Sequence, residues 1–112
     1  SVSTTNRKDV LLMRKQEIVK VSAKSNPASV AGAIAALVRE KREIQIQVIG
    51  AGALNQAVKA IAIAKEYVAP VGITLHCEPS FVDLEINGSK RTGIKLSLLP
   101  VSISEIKEPA YA

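Results

Sequence analysis

From Glu17 to Ala23 apolar and polar residues alternate. Val19, Val21 and Ala23 fall on one side and Ile18, Lys20, Ser22 and Lys24 on the other, the period of two expected of a strand. Ser25-Asn26-Pro27 then reads as a helix start, with Asn26 able to cap and Pro27 suited to the first helical position. Val30, Ile34, Leu37 and Val38 recur at helical spacing up to about Arg39, and Ala31, Ala33, Ala35 and Ala36 permit close approach. Arg39, Lys41 and Arg42 follow, where positive charge complements the helix dipole. Glu43 to Ile49 is the cleanest strand, with Ile44, Ile46 and Val48 inward and Gln45 and Gln47 outward.

After the turn Gly50-Ala51-Gly52, a second helix is predicted from about Ala53 to Val68, stopped by Pro70 and Gly72. Leu54, Ala57, Val58, Ile61, Ala64 and Val68 cover one broad face, while Ala60, Ile63 and Tyr67 extend onto another. A helix apolar over most of its circumference needs burial on two sides, so one face is expected to take the sheet and the other a partner.

Ile73, Leu75 and Cys77 next alternate with Thr74, His76 and Glu78; Pro79-Ser80 is expected to interrupt the ladder before Val82, Leu84 and Ile86 resume it. Asn87-Gly88 is a strong hairpin signal, since both residues tolerate positive φ. The return strand runs from Thr92 to Leu99 with Ile94, Leu96 and Leu98 on one face, and Val101, Ile103 and Ile106 are placed to add a short edge pairing. The order β-α-β-α-β-β, with right-handed crossovers, puts both helices on one face of a four-stranded mixed sheet and leaves the other face polar. The expected class is α+β, a two-layer sandwich, with a basic arm at 1–16, one domain at 17–100 and a tail at 101–112.

Composition narrows the chemistry. The chain has 112 residues, 47% of them hydrophobic, enough for a core without metal or disulfide staples. Tyr67, Phe81 and Tyr111 are its only aromatic residues, which argues against an aromatic platform for stacking bases. Cys77 is the single cysteine and has no internal disulfide partner. No secretory leader is recognised and no apolar run approaches the ~18 residues of a membrane span, so a cytoplasmic location off the membrane is expected. Of the net charge of +5, the arm contributes Arg7, Lys8, Arg14 and Lys15 against Asp9, and the domain ten basic groups against seven acidic ones. A basic balance favours polyanions through counterion release.

Catalytic constellations are not evident. His76 and Cys77, as strand neighbours, point to opposite faces and cannot chelate one ion together, and no second His exists to build a metal site or a nucleophile–base pair. Cys77 reads as a small core residue and His76 as a surface one. Glu78, Asp83 and Glu85 read as solvated strand residues. The chain is therefore expected not to be an enzyme and to carry no cofactor or metal. Gly50-Ala51-Gly52-Ala53-Leu54-Asn55 occupies the place of a dinucleotide fingerprint but has Asn55 where the third glycine belongs, and no acidic residue follows at the required ~20-residue distance. Two readings remain for it: a tight turn, or exposed backbone N–H groups that receive a phosphate-like anion. In a parallel β-α-β unit Lys24, Asn55, Gln56 and Lys59 would meet at the carboxyl edge of the sheet, either as a polar anion site or as a capped helix beside a solvated lysine.

The run Lys20-Val21-Ser22-Ala23-Lys24-Ser25-Asn26-Pro27-Ala28-Ser29-Val30-Ala31-Gly32-Ala33, with Ile49-Gly50-Ala51-Gly52-Ala53-Leu54-Asn55-Gln56-Ala57-Val58-Lys59-Ala60, resembles the stage V sporulation protein S (SpoVS) family. Ile63-Ala64, Val68-Ala69-Pro70, Arg91-Thr92 and Ile94-Lys95-Leu96 continue the match, which covers roughly 17–99. That family resembles Alba proteins in fold, which implies a homodimer associated with DNA or RNA and a regulatory part in sporulation. Alba proteins carry a basic pair after the first strand, where this chain has Lys24 and then Ser25, and an Arg after the second, where it has Gly50-Ala51-Gly52; the hairpin keeps Lys90 and Arg91. The expectation is a nucleic-acid-associated regulator of weak to moderate affinity, with contacts at Lys24, Asn55, Gln56, Lys59, Lys90 and Arg91. Its rival is a protein interaction or assembly module on the same fold that binds no nucleic acid.

Overall fold

The computed structural model describes residues 16–105. The expected arm and the end of the tail lie outside these residues, apart from Gln16 and 101–105. The elements run β1 (Gln16–Lys20), α1 (Pro27–Arg39), β2 (Glu43–Val48), α2 (Ala51–Val68), β3 (Ile73–Ile86) and β4 (Ser89–Ser102), with short 3-10 turns at Ala69–Val71 and Ile103–Glu105. The four strands form one mixed sheet in the order β1-β2-β4-β3. β1 lies parallel to β2, and β4 lies antiparallel to both β2 and β3. This is the expected α+β sandwich, with the chain crossing from β2 through α2 to the far edge before β4 returns to fill the gap.

Register separates the two faces. Val19 pairs with Ile46, Ile46 with Leu96 and Leu96 with Pro79, so odd positions of β1 and β3 share the helix side with even positions of β2 and β4. On that side Ile44, Ile46, Leu96 and Leu98 are buried beneath Ile34 and Val38 of α1 and Ile61 and Val68 of α2. Alanines at Ala31, Ala35, Ala57, Ala60 and Ala64 are also buried, which lets the helices sit close to the sheet and to each other. No polar or charged residue is buried among the described residues, so the core leaves no side-chain hydrogen bonds to satisfy.

Several boundaries differ from those expected. β1 stops at Lys20 instead of Ala23: Val21 still donates to the Gln47 carbonyl at 3.1 Å, but Ser22 to Ser25 then fold into a turn in which the Ser25 hydroxyl accepts from the Ser22 N–H at 2.9 Å. Ala23 is exposed there, not inward. α2 starts at Ala51 instead of Ala53, because Gly50, at φ 89, already makes the turn that the whole glycine-rich run was expected to make. Ala60 lies on the buried side of α2 and Val58 on the outer side, the reverse of their expected placement. Pro79 does not interrupt β3, whose pairing with β4 is continuous from Ile73 to Ile86. β3 is an edge strand, where a missing N–H costs no interior ladder bond. The tail also begins later, since β4 continues through Pro100 to Ser102 and Ile103 then donates to the Gly72 carbonyl at 2.9 Å.

Continuity through Pro79 has a topological effect. Ile73, Leu75 and Cys77 face the helix side, but Val82, Leu84 and Ile86, further along the same strand, face the open side. Only Ile94 to Leu98 of β4 pair with β2, so the distal hairpin leaves the sheet as a two-stranded ribbon that closes at Asn87-Gly88, both at positive φ as expected. Gly93 stands where it leaves. A Cβ there would lie 2.6 Å from the Val48 carbonyl oxygen and 3.0 Å from Leu84 Cδ1.

Gly93→Ala is therefore expected to destabilise the fold by about 2–3 kcal/mol, because the obstructing atom is backbone and cannot swing away. Gly32→Ala in α1, where no atom lies within 4 Å, is expected to stabilise by about 0.5–1 kcal/mol. Urea unfolding of the two variants beside the parent chain measures both, and like signs would contradict the packing described.

Candidate nucleic-acid interface

The carboxyl edge of β1 and β2 is assembled by small residues. A Cβ on Gly52 would lie 3.0 Å from Ala23 Cβ, so the start of α2 and the loop after β1 touch closely only because one is glycine and the other alanine. Gln56 Nε2 donates to the Ser25 carbonyl at 2.9 Å and ties the two junctions together. Within the loop, Asn26 Oδ1 accepts from the N–H groups of Ala28 and Ser29 at 2.9 and 3.1 Å and caps α1 as expected.

The two junctions thus meet as expected, but the residues divide in role. Lys24 is exposed in the first loop and Lys59 is exposed on α2. Asn55 and Gln56 lie four and five residues into α2, so neither caps it. Gln56 has its amide N–H committed to the loop, while Asn55 is exposed and stands four residues before Lys59 on the same helical face. Gly50, at the N-cap of α2, offers no side-chain cap.

Lys90 and Arg91 are adjacent on β4 and so point to opposite faces of the ribbon. Lys90 pairs across the ladder with Glu85 on the helix side, and Thr92 on that side pairs with Asp83. Arg91 faces the open side opposite Leu84. The basic pair of the hairpin is therefore one cation set among carboxylates and one cation opposite an aliphatic side chain, on a face whose carboxylates, Glu43 and Glu78, lie further along the sheet.

The open face carries further cations that sequence reasoning missed. Lys20 of β1 and Lys95 of β4 lie on it, and Lys95 pairs with Gln47 of β2. Together with Arg91 they form a basic group at the end of the sheet nearest the hairpin. The ion pairs among the described residues lie at the other end, where Arg42 meets Glu17 at 2.6 Å and Glu40 at 3.5 Å. The alternation that assigned Lys20 and Lys95 outward was legible in the sequence, and only the sheet order that makes them neighbours was not. Nor is this face uniformly polar, since Ile18, Ile86 and Leu99 are exposed on it.

The helix layer has exposed apolar residues too, though Val58 and Tyr67, nine residues apart, fall on opposite sides of α2. Phe81 is 81% exposed, Val58 52% and Tyr67 43%. Cys77 shares the helix side with Phe81 and is exposed, contrary to its expected place in the core, because it sits on the edge strand. The desolvation it does experience pushes its thiol pKa up, which keeps it protonated near neutral pH and a poor nucleophile. His76 is exposed on the opposite face, as expected. Among the described residues no group of three or more His, Cys, Asp or Glu is placed to hold a metal ion, and no helix is long and apolar enough to cross a membrane.

The family model described as Stage V sporulation protein S (SpoVS) matches residues 17–101, a span that runs from β1 to the end of β4 and takes in every cation of the open face. The match covers well over half of the chain, and the chain belongs to the SpoVS family, which makes it a sporulation-related protein.

Proposed function

We propose that this chain is a nucleic-acid-associated regulatory protein that binds phosphates as a homodimer. The observation that carries the reading is the separation of charge along the sheet. Lys20, Arg91 and Lys95 share one end of the open face, with Lys24 on the adjoining loop, while the ion pairs of the described residues gather around Arg42 at the opposite end of the sheet, with Glu17 on the helix side. Cations not neutralised by the protein's own carboxylates are the ones that release counterions on meeting a phosphate backbone. The contacts are few, and none is a bidentate reader of base edges in a groove, so the reading is of weak to moderate affinity without marked sequence preference. Lys59 and Asn55 on α2 extend the same polar edge.

Self-association draws on the other side. A phenylalanine exposed to 81% on β3 and a valine exposed to 52% on the outer side of α2 are the kind of apolar side chains that a second copy covers. The assembly-module alternative takes its support from the same exposed residues and needs no cation at all.

Charge reversal separates the residues of the hairpin. Arg91→Glu is expected to weaken binding to all sequences alike and to lower the slope of log affinity against log salt by about 1 for each phosphate it no longer neutralises. Lys90→Glu is expected to change the slope much less, because Glu85 already faces Lys90. Titrations of the unmodified chain, the two single variants and the double variant against DNA and RNA across salt measure this. An unmodified chain with no salt-dependent binding to any nucleic acid would leave the assembly module as the function.

For the dimer, Phe81→Asp and Val58→Asp are each expected to raise the dissociation constant at least about thirtyfold by sedimentation, since each change appears twice across a twofold axis. Ile63, half-buried against the core, is a poorer test site than these two. Alkylation of Cys77 should slow as protein concentration rises through the dimerisation range. A monomeric unmodified chain at micromolar concentration ends the dimer proposal.

A further inference from the structure

The apolar residues that change face after Pro79 do not simply lie exposed. Leu84 and Ile86 roof a cavity of about 310 Å³ at the hairpin end of the open face, with Ala23, Ile49, Lys20 and Gln47 among its walls and the carboxylate-bearing Glu85 beside the roof. Among the described residues, the Lys20 ammonium and the Gln47 amide have no hydrogen-bond or ion-pair partner. Lys20 is the one cation in the lining; Arg91 stands across the ladder from Leu84 and Lys95 from Gln47, so two further cations neighbour lining residues on the open side, while Glu85 belongs to the helix side of the ribbon by its parity.

We infer that this cavity receives one unpaired base of a single-stranded nucleic acid, whose flanking phosphates are held by Lys20, Arg91 and Lys95. The inference rests on the phosphate-binding reading above and adds its substrate class. Aliphatic walls suit the flat, apolar faces of a base ring, and an amide presents both a donor and an acceptor to the base edge. A free phosphate would gain from the rim but nothing from the walls. A paired base stays within its stack and cannot enter, which gives the site a reason to prefer single strands over duplexes. The walls contain no aromatic ring, so the base contributes less than it would on an aromatic platform.

The test compares a single-stranded 12-mer bearing bases with an abasic 12-mer of the same length and charge, both titrated against the unmodified chain across salt. The base-bearing strand is expected to bind about five- to tenfold tighter, with the same salt slope. Ile86→Ala removes part of the roof at an exposed position and without change of charge. It is expected to erase the difference while leaving affinity for the abasic strand unchanged. Equal affinity of the unmodified chain for the two strands overturns the inference and leaves phosphate binding standing. Salt-dependent binding to neither strand overturns the phosphate-binding reading itself. Adenosine monophosphate is expected to compete only at millimolar concentration, having one phosphate where the strand has several. Saturation by it at micromolar concentration would identify the ligand as a free nucleotide and overturn the assignment to a strand.

Discussion

The close approach of Gly93 to the Val48 carbonyl decides the form of everything beyond the sheet. β4 must pass the end of β2 and continue as a free ribbon, and it does so with its backbone against the last carbonyl of β2, where a side chain of any kind would hold the strands apart. Leu84 Cδ1 and Ile49 Cγ1 fill the remaining space around that point at 3.0 and 3.2 Å from where a Cβ would stand. The hairpin is thereby held down over the carboxyl edge of β1 and β2. Without that contact there would be a ribbon but no cavity beneath it, and Leu84 would not be brought to the same cavity as Lys20.

Much of this fold was legible because the strands of a two-layer sandwich are buried on one face only. Ile44, Ile46 and Val48 against Gln45 and Gln47, and Asn26 before Pro27, announce their elements without tertiary information. What was illegible depended on neighbours. Pro79 breaks an interior strand but not an edge strand, and the edge is known only once β4 is seen to insert between β2 and β3. The same fact moved Cys77 from the expected core to the surface. Ala23 alternates correctly with Val19 and Val21, yet the hydroxyls of Ser22 and Ser25 compete for the backbone and end the strand first. At the site, the identities of Lys24, Asn55, Gln56 and Lys59 were readable, but the hydrogen bond that commits Gln56 to Ser25 was not. Lys20 and Lys95 are distant in sequence and meet only through the register of β1, β2 and β4.

Charge at the two ends of the sheet serves different ends. The Glu17 and Arg42 side chains are each about a third exposed, so their 2.6 Å contact is worth about 1 kcal/mol or less, mainly registering the start of β2 against β1. Placing such a pair at the hairpin end would have cost the cations there their use. Lys20, Arg91 and Lys95 repel one another only weakly in water at physiological salt, where charges further apart than about 8 Å are largely screened. The fold therefore tolerates a group of cations without ion pairs among the described residues on one exposed face at small cost to stability, provided that face is kept out of the core.

The change of face at Pro79 also lets one hairpin serve two surfaces without conflict. Before it, the apolar positions of β3 are odd-numbered and face the helices. After it, Val82, Leu84 and Ile86 face the open side, while Phe81 remains on the helix side as an exposed apolar residue. A strand that kept one phase throughout would have to choose between extending the core face and building an apolar wall on the open face. Because successive side chains alternate, a residue's parity in the ribbon decides which surface it belongs to: Phe81, Asp83, Glu85 and Lys90 to the helix side, and Leu84, Ile86 and Arg91 to the open side. Contacts made on one side leave the other uncovered, so a dimer that buries Phe81 can still present its cationic faces to a strand.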